Sequence, residues 1–118
     1  MDSENYKYID LNYAAVKVYG YQDKNELLGK TPLDVSAPKQ YNGEFSNVTA
    51  INFIEKAKAQ GNATFEWLHQ RPNGELWDAE VDLLSFEMHD KMYLQFSLVD
   101  ITERKKAQMA LEESELKY

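Results

Sequence analysis

Leu94-Gln95-Phe96-Ser97-Leu98-Val99-Asp100-Ile101-Thr102-Glu103-Arg104-Lys105 reads as a strand that passes into a helix with almost no loop between. Met92, Leu94, Phe96 and Leu98 share one face at period two, and the chain turns polar at Asp100. Asp100 and Glu103 have the D-x-x-E spacing in which one side chain caps a helix and the other reaches back to the cap. Asp100 and Arg104 are also spaced as an i,i+4 pair of opposite charge. The helix that follows is rich in Glu and Lys and runs to Tyr118. A strand joined so directly to a helix passes any movement of the sheet into that helix, since no flexible residue absorbs it.

Upstream of this junction lie two more strand patterns. Trp77, Ala79, Val81 and Leu83 alternate with Asp78, Glu80 and Asp82, a half-buried strand with an acidic outer face. Phe65, Trp67 and His69 alternate with Glu66 and Leu68 before the Pro72-Asn73-Gly74 turn, where Gly74 supplies positive φ. His89-Asp90-Lys91 turns the chain into the last strand. The longest internal helix is expected from about Asn47 to Gln60, with Ala50, Ile51, Ile54 and Ala57 on one face and Phe53 at its edge. Before it come short pieces. Asn12 caps a helix over Tyr13–Tyr19 that Gly20 ends, and Asp23 with Glu26 forms a capping box for a second. A third turn lies around Leu33–Ser36, and Tyr41–Glu44 is loop. Tyr6–Leu11 alternates weakly and reads as a strand. The fold class is therefore α+β: an antiparallel sheet, short helices and one longer helix on one face, and a C-terminal exit helix.

Composition narrows the function. At 118 residues with about 43% hydrophobic content the chain has material for one core. A net charge of −7 argues against nucleic acid or an anionic membrane as partner. No apolar run approaches the ~20 residues of a membrane span, and the start does not read as a signal peptide. Zero cysteines exclude disulfides, Cys-based metal sites and cysteine nucleophiles, and fit a cytoplasmic location. No nucleophile–base–acid set is legible, so no enzyme is expected, and no catalytic or metal residue is assigned. His69 and His89 stand far apart, each more simply a structural or solvated side chain than a ligand. In the exit helix Ala107, Leu111, Ser114 and Tyr118 step by four, three and four, the spacing of a short coiled-coil seam.

The run Asp100-Ile101-Thr102-Glu103-Arg104-Lys105 resembles the D-I-T-x-R-K signature that closes PAS sensor domains of bacterial signalling proteins. The resemblance extends to Asn12-Tyr13-Ala14-Ala15, Gly20-Tyr21, Glu26-Leu27-Leu28-Gly29-Lys30, Phe65-Glu66-Trp67-Leu68-His69 and Asn73-Gly74-Glu75, covering about Tyr8 to Lys105. It implies a PAS domain over residues 1–101 and a signalling helix over 102–118 that leads to a further module, a histidine kinase of a two-component system or a diguanylate cyclase. It also implies a ligand pocket between the long helix and the sheet. Here Ile51 and Ile54 would face Phe65, Trp67, His69, Val81 and Leu83, with Leu94, Phe96 and Leu98 from the last strand. The same side chains serve equally as a closed core. The junction residues would be Asp100, Thr102, Glu103 and Arg104, and the dimer seam Ala107, Leu111, Ser114 and Tyr118.

Two PAS chemistries find no support. The long helix has no histidine where haem-binding relatives carry their iron ligand, and no cysteine is present for flavin photochemistry. The cofactor is left unknown. The function expected is a cytoplasmic regulatory sensor, a homodimer that binds a small molecule or partner and relays a sheet shift into its exit helix; the alternative is a ligand-free dimerisation spacer. In the resembled family another strand precedes Tyr6–Leu11 and lies between it and the last strand. Asp2-Ser3-Glu4-Asn5 reads as the turn after that strand, so the first strand is expected to be missing from this chain.

Overall fold

The computed structural model describes residues 1–116, with side chains through residue 113. Helix α1 (Tyr13–Val18) and two 3₁₀ turns (Lys24–Glu26 and Pro32–Val35) precede helix α2 (Ser46–Gln60). Strands β1 (Asn62–Gln70), β2 (Leu76–Met88) and β3 (Lys91–Asp100) follow, and helix α3 (Thr102–Leu116) leaves the sheet. The sheet is antiparallel in the order β1-β2-β3, with Phe65 opposite Val81 and Leu83 opposite Phe96.

Local chemistry accounts for each short element. The Asn12 side chain accepts from the Ala15 N–H at 2.8 Å and starts α1. Asp23 and Glu26 close a full capping box around the first 3₁₀ turn, and Pro32 sits in the first turn of the second, where its missing N–H costs nothing. Two residues, His89 and Asp90, connect β2 to β3 with φ of 53° and 61°, the paired left-handed geometry of a tight hairpin. The inner face of the sheet buries Ala63, Trp67, Trp77, Ala79, Val81, Leu83 and Leu94 against Ala50, Ile54 and Ala57 of α2 and Val16 and Tyr19 beside α1.

The two sheet edges differ. Along β1 the Gln40 amide behaves as a strand neighbour, accepting from the Leu68 N–H at 2.8 Å and donating to the Leu68 carbonyl at 3.0 Å. Ala37 N–H also donates to the Leu68 carbonyl, so this edge is covered. The β3 edge is met only at its start. The Met1 amino group and the Leu94 carbonyl, and the Leu94 N–H and the Met1 carbonyl, bond at 2.8 Å each, and Asp2 bridges to Tyr93.

Two expectations need correction here. Tyr6–Leu11 is not a strand. Tyr6 takes φ of 62°, the Leu11 N–H turns to its neighbour's Asp10 carboxylate, and only Tyr8 makes ladder-like bonds, to Lys30 and Gly29. A strand persists only beside another, and no described segment lies between this one and β3. The apolar face of α2 is also narrower than its sequence suggests. Ser46, Ala50, Ile54 and Ala57 are buried, whereas Ile51 is 47% exposed. The four buried positions advance by four, four and three residues, and Ile51 falls one step off that row.

Candidate functional site

Beneath the sheet is a cavity of about 40 Å³, lined by Ile54, Phe65, Trp67, His69, Val81, Leu83, Phe96 and Leu98 together with Met1, Tyr8, Tyr19, Pro32 and Ala50. All the expected pocket positions line it except Ile51 and Leu94. Ile51 faces outward, and Leu94 is fully buried and lines a separate groove. The space suffices for about three or four waters at ~10–15 Å³ each.

Aromatic side chains set the walls. Phe53 stacks on Phe65 at 4.0 Å, and Trp67 meets both edge-on. The Trp67 indole N–H donates to Ser36 Oγ at 2.8 Å, so its polar atom is satisfied by a hydroxyl outside the sheet. His69 is only 3% exposed and stacks on Trp77 at 4.4 Å. Burial holds its imidazole down at about 4, with the nearby Arg71 charge acting in the same direction, so the ring is neutral at neutral pH. His69 Nδ1 and Trp77 Nε1 are both buried without a hydrogen-bond partner. Such atoms cost stability wherever they occur, and here two of them stand on one stacked pair.

From that pair a chain of contacts runs to the exit helix. The Arg71 guanidinium lies 4.9 Å over the Trp77 ring, and its Nε donates to the Val18 carbonyl at 3.0 Å. Arg71 also pairs with Glu75 and, at 3.6 Å, with Asp100. Asp100 Oδ1 accepts from the Thr102 N–H at 3.0 Å and from the Thr102 hydroxyl at 2.7 Å. Burial pushes the Asp100 carboxyl up, but the Thr102 hydrogen bonds and the Arg71 charge outweigh it and hold the group below its usual range. Thr102 Oγ1 in turn accepts from the Asp78 N–H at 3.0 Å, and the Ile101 N–H donates to the Asp78 carbonyl at 2.9 Å. Gly20 fits under this network because a Cβ there would lie 3.1 Å from the Arg71 side chain.

The junction differs from its sequence reading. Helix α3 starts at Thr102, so Asp100 stands one residue ahead of the capping position and the D-x-x-E box does not form. Asp100 is instead claimed by Thr102 and Arg71, while exposed Glu103 meets only Lys106. Arg104 does not pair with Asp100; it reaches Glu80 on β2 at 3.8 Å. Lys105 meets Glu66 at 2.6 Å and lies 4.0 Å over the Tyr41 ring, whose hydroxyl donates to Asp78. The first turns of α3 are thus tied to the acidic outer face of the sheet. Ala107 and Leu111 of the expected seam are exposed on α3. The Ser114 side chain and Tyr118 lie outside the described residues.

Arg71, Trp77, Tyr8 and Tyr19 were not legible as site residues. Tyr19, the residue that ends α1, follows Val16 by three, a signal for burial but not for a cavity. Arg71 has no periodic signal at all, since its partners Trp77 and Asp100 meet it only through the hairpin. Among the described residues no cluster of three or more His, Asp or Glu side chains is placed to hold a metal.

Comparison with known proteins gives no matching family model and no matching curated protein. Solved structures do match. A PAS domain of a two-component sensor histidine kinase superposes with a TM-score of 0.66 at 16% identity, over 84% of this chain and 79% of that one. The PAS domain of a protein from Colwellia psychrerythraea gives 0.66 at 20% identity, over 85% and 81%. The light-oxygen-voltage domain of the blue-light photoreceptor aureochrome1 gives 0.62 at 15%, over 93% and 76%. This chain has the PAS fold, the α+β arrangement of PAS sensor domains.

Proposed function

We propose that this chain is a regulatory sensor module, in which occupation of the cavity under the sheet shifts the exit helix α3. The observation that carries the reading is the unbroken line from His69, whose Nδ1 has no partner, through Trp77, Arg71 and Asp100 to Thr102. A ligand at His69 would bear on Trp77, and a shift of Trp77 would alter the Arg71–Asp100 contact at the root of α3. The chain itself carries out no catalytic step in this reading; a histidine kinase or cyclase output would follow α3 in the same polypeptide. The module works as a homodimer in the cytoplasm, with Ala107 and Leu111 exposed for the contact. No described helix is long and apolar enough to cross a membrane.

A second reading, a ligand-free dimerisation spacer, draws on one observation: the cavity is small, about 40 Å³. Native mass spectrometry of the purified protein separates the two. The sensor reading expects a small molecule that co-purifies with the wild-type protein and is lost from His69→Phe. A bare chain mass in both, with no exchange broadening of the His69 and Trp77 side chains by NMR, would favour the spacer.

A further inference from the structure

We propose that the segment from Ser36 to Phe45 is a strap, running from the cavity wall around the β1 edge to hold the first turns of α3 on the outer face of the sheet. It is a second route to the same helix, separate from the line through Arg71, and it needs no ligand to be seen.

The helix depends on such a hold. A charged helix of 15 residues is marginal on its own, and the sheet reaches only the start of α3. Ile101 is buried and Thr102 and Lys105 are half-buried, but every described residue from Lys106 to Glu113 is exposed. Lys105 is therefore the last point at which the described fold holds the helix. Its Nζ stands 2.6 Å from Glu66 on β1 and 4.0 Å over the Tyr41 ring. The Tyr41 hydroxyl donates to Asp78 Oδ1 at 2.6 Å. The same Asp78 gives its N–H to Thr102 Oγ1 and takes the Ile101 N–H on its carbonyl. Tyr41 thus meets the root of α3 twice, by its ring and through Asp78. The charges agree with this placement. Glu66 lies opposite Glu80 on the sheet, a like-charged pair that repels, and Lys105 and Arg104 set one cation against each.

The other end of the strap is built into the cavity wall. Ser36 Oγ accepts from the Trp67 indole N–H at 2.8 Å and donates to the Pro32 carbonyl at 2.6 Å. Trp67 and Pro32 both line the cavity, and Ser36 also bridges to His69. Between Ser36 and Tyr41 no residue is slack. The Ala37 N–H bonds to the Leu68 carbonyl at 3.1 Å, and the Pro38 carbonyl accepts from the Ser46 N–H at 3.0 Å. Lys39 bridges to Phe45. The buried Gln40 amide clasps both peptide groups of Leu68 and donates to Ser46 Oγ at 2.9 Å. A segment bonded at every step moves as one piece, so a displacement of Trp67 or Pro32 is carried to Tyr41. Without Tyr41, Lys105 keeps only Glu66, a surface ion pair of little strength in water.

Amide hydrogen exchange of the isotope-labelled chain tests the strap, with Val81 and Leu83 on β2 reporting the stability of the fold itself. Tyr41→Ala removes ring and hydroxyl together, and it should speed exchange at Lys106, Ala107 and Gln108 by about fivefold or more relative to Val81 and Leu83. Ser36→Ala leaves Tyr41 in place and should speed the same amides by about twofold or more on that scale. Tyr13→Ala, which removes an exposed tyrosine of α1, should leave them unchanged. Lys105→Met should loosen the helix alone but add less than that in the Tyr41→Ala background. Three results overturn the proposal: wild-type exchange of the α3 amides in Tyr41→Ala, no more effect from Ser36→Ala than from Tyr13→Ala, or strict additivity of the Tyr41 and Lys105 changes.

Discussion

At the scale of single residues, His69 is the informative position because it pairs near-complete burial with an unanswered nitrogen. Its folded pKa of about 4 lies below the ordinary value of 6.5. The unfolded chain therefore binds a proton that the folded chain refuses between those values, and stability falls as pH drops from 6.5 towards 4. A shift of this size corresponds to about 3 kcal/mol, fully present above pH 6.5 and gone below pH 4. The urea midpoint of wild type should fall by more across that range than the midpoint of His69→Phe. Parallel curves would mean that His69 titrates freely. Gly20 is the second such position. Its φ of 90° and the 3.1 Å approach of Arg71 both resist a side chain. Gly20→Ala should cost about 1 kcal/mol or more, and it should displace Arg71 from Trp77, seen as a change in indole fluorescence.

At the scale of elements, the strand–helix junction is a shared network and not an isolated cap. Asp100→Ala should cost about 1 kcal/mol, by analogy with lost caps. Arg71→Ala removes the partner of the same carboxylate. A double-mutant cycle should show their effects to be coupled by about 0.5 kcal/mol or more; strict additivity would separate Arg71 from the junction. This is also where the reach of sequence reading is clearest. Helix α2, all three strands and both tight turns follow from periodicity and turn residues that act within a few positions of one another. The Asp23–Glu26 box formed as spaced, whereas the equal spacing of Asp100 and Glu103 did not, because α3 starts one residue later and Thr102 takes the Asp100 carboxylate. Tyr6–Leu11 alternates as a strand should, yet alternation supplies no neighbour. The inward row of β1 and β2 predicted which side chains meet. It did not predict that Trp67 would find Ser36 while Trp77 found nothing.

At the scale of the whole molecule, the proposed homodimer would make its contact on α3, where Leu111 is 60% exposed. Burying a leucine of this kind against a second copy contributes roughly 1.5–3 kcal/mol. Leu111→Glu should therefore move the protein towards monomer in sedimentation without lowering its melting temperature, and an unchanged dimer would place the contact elsewhere. The β2–β3 hairpin bears on a different property, the order in which the chain acquires its structure. Ten cross-strand pairs close around two residues, whereas the Met1–Leu94 bonds span 93 residues. Short loops close at little entropic cost, so the hairpin is expected to form early and the N-terminal residues to dock last. Both hairpin residues hold left-handed backbone without being glycine. Replacing His89 with Asn and Asp90 with Gly should thus speed refolding while leaving the unfolding rate nearly unchanged. The same turn that aims β3 at its helix also sets the clock for the chain's collapse.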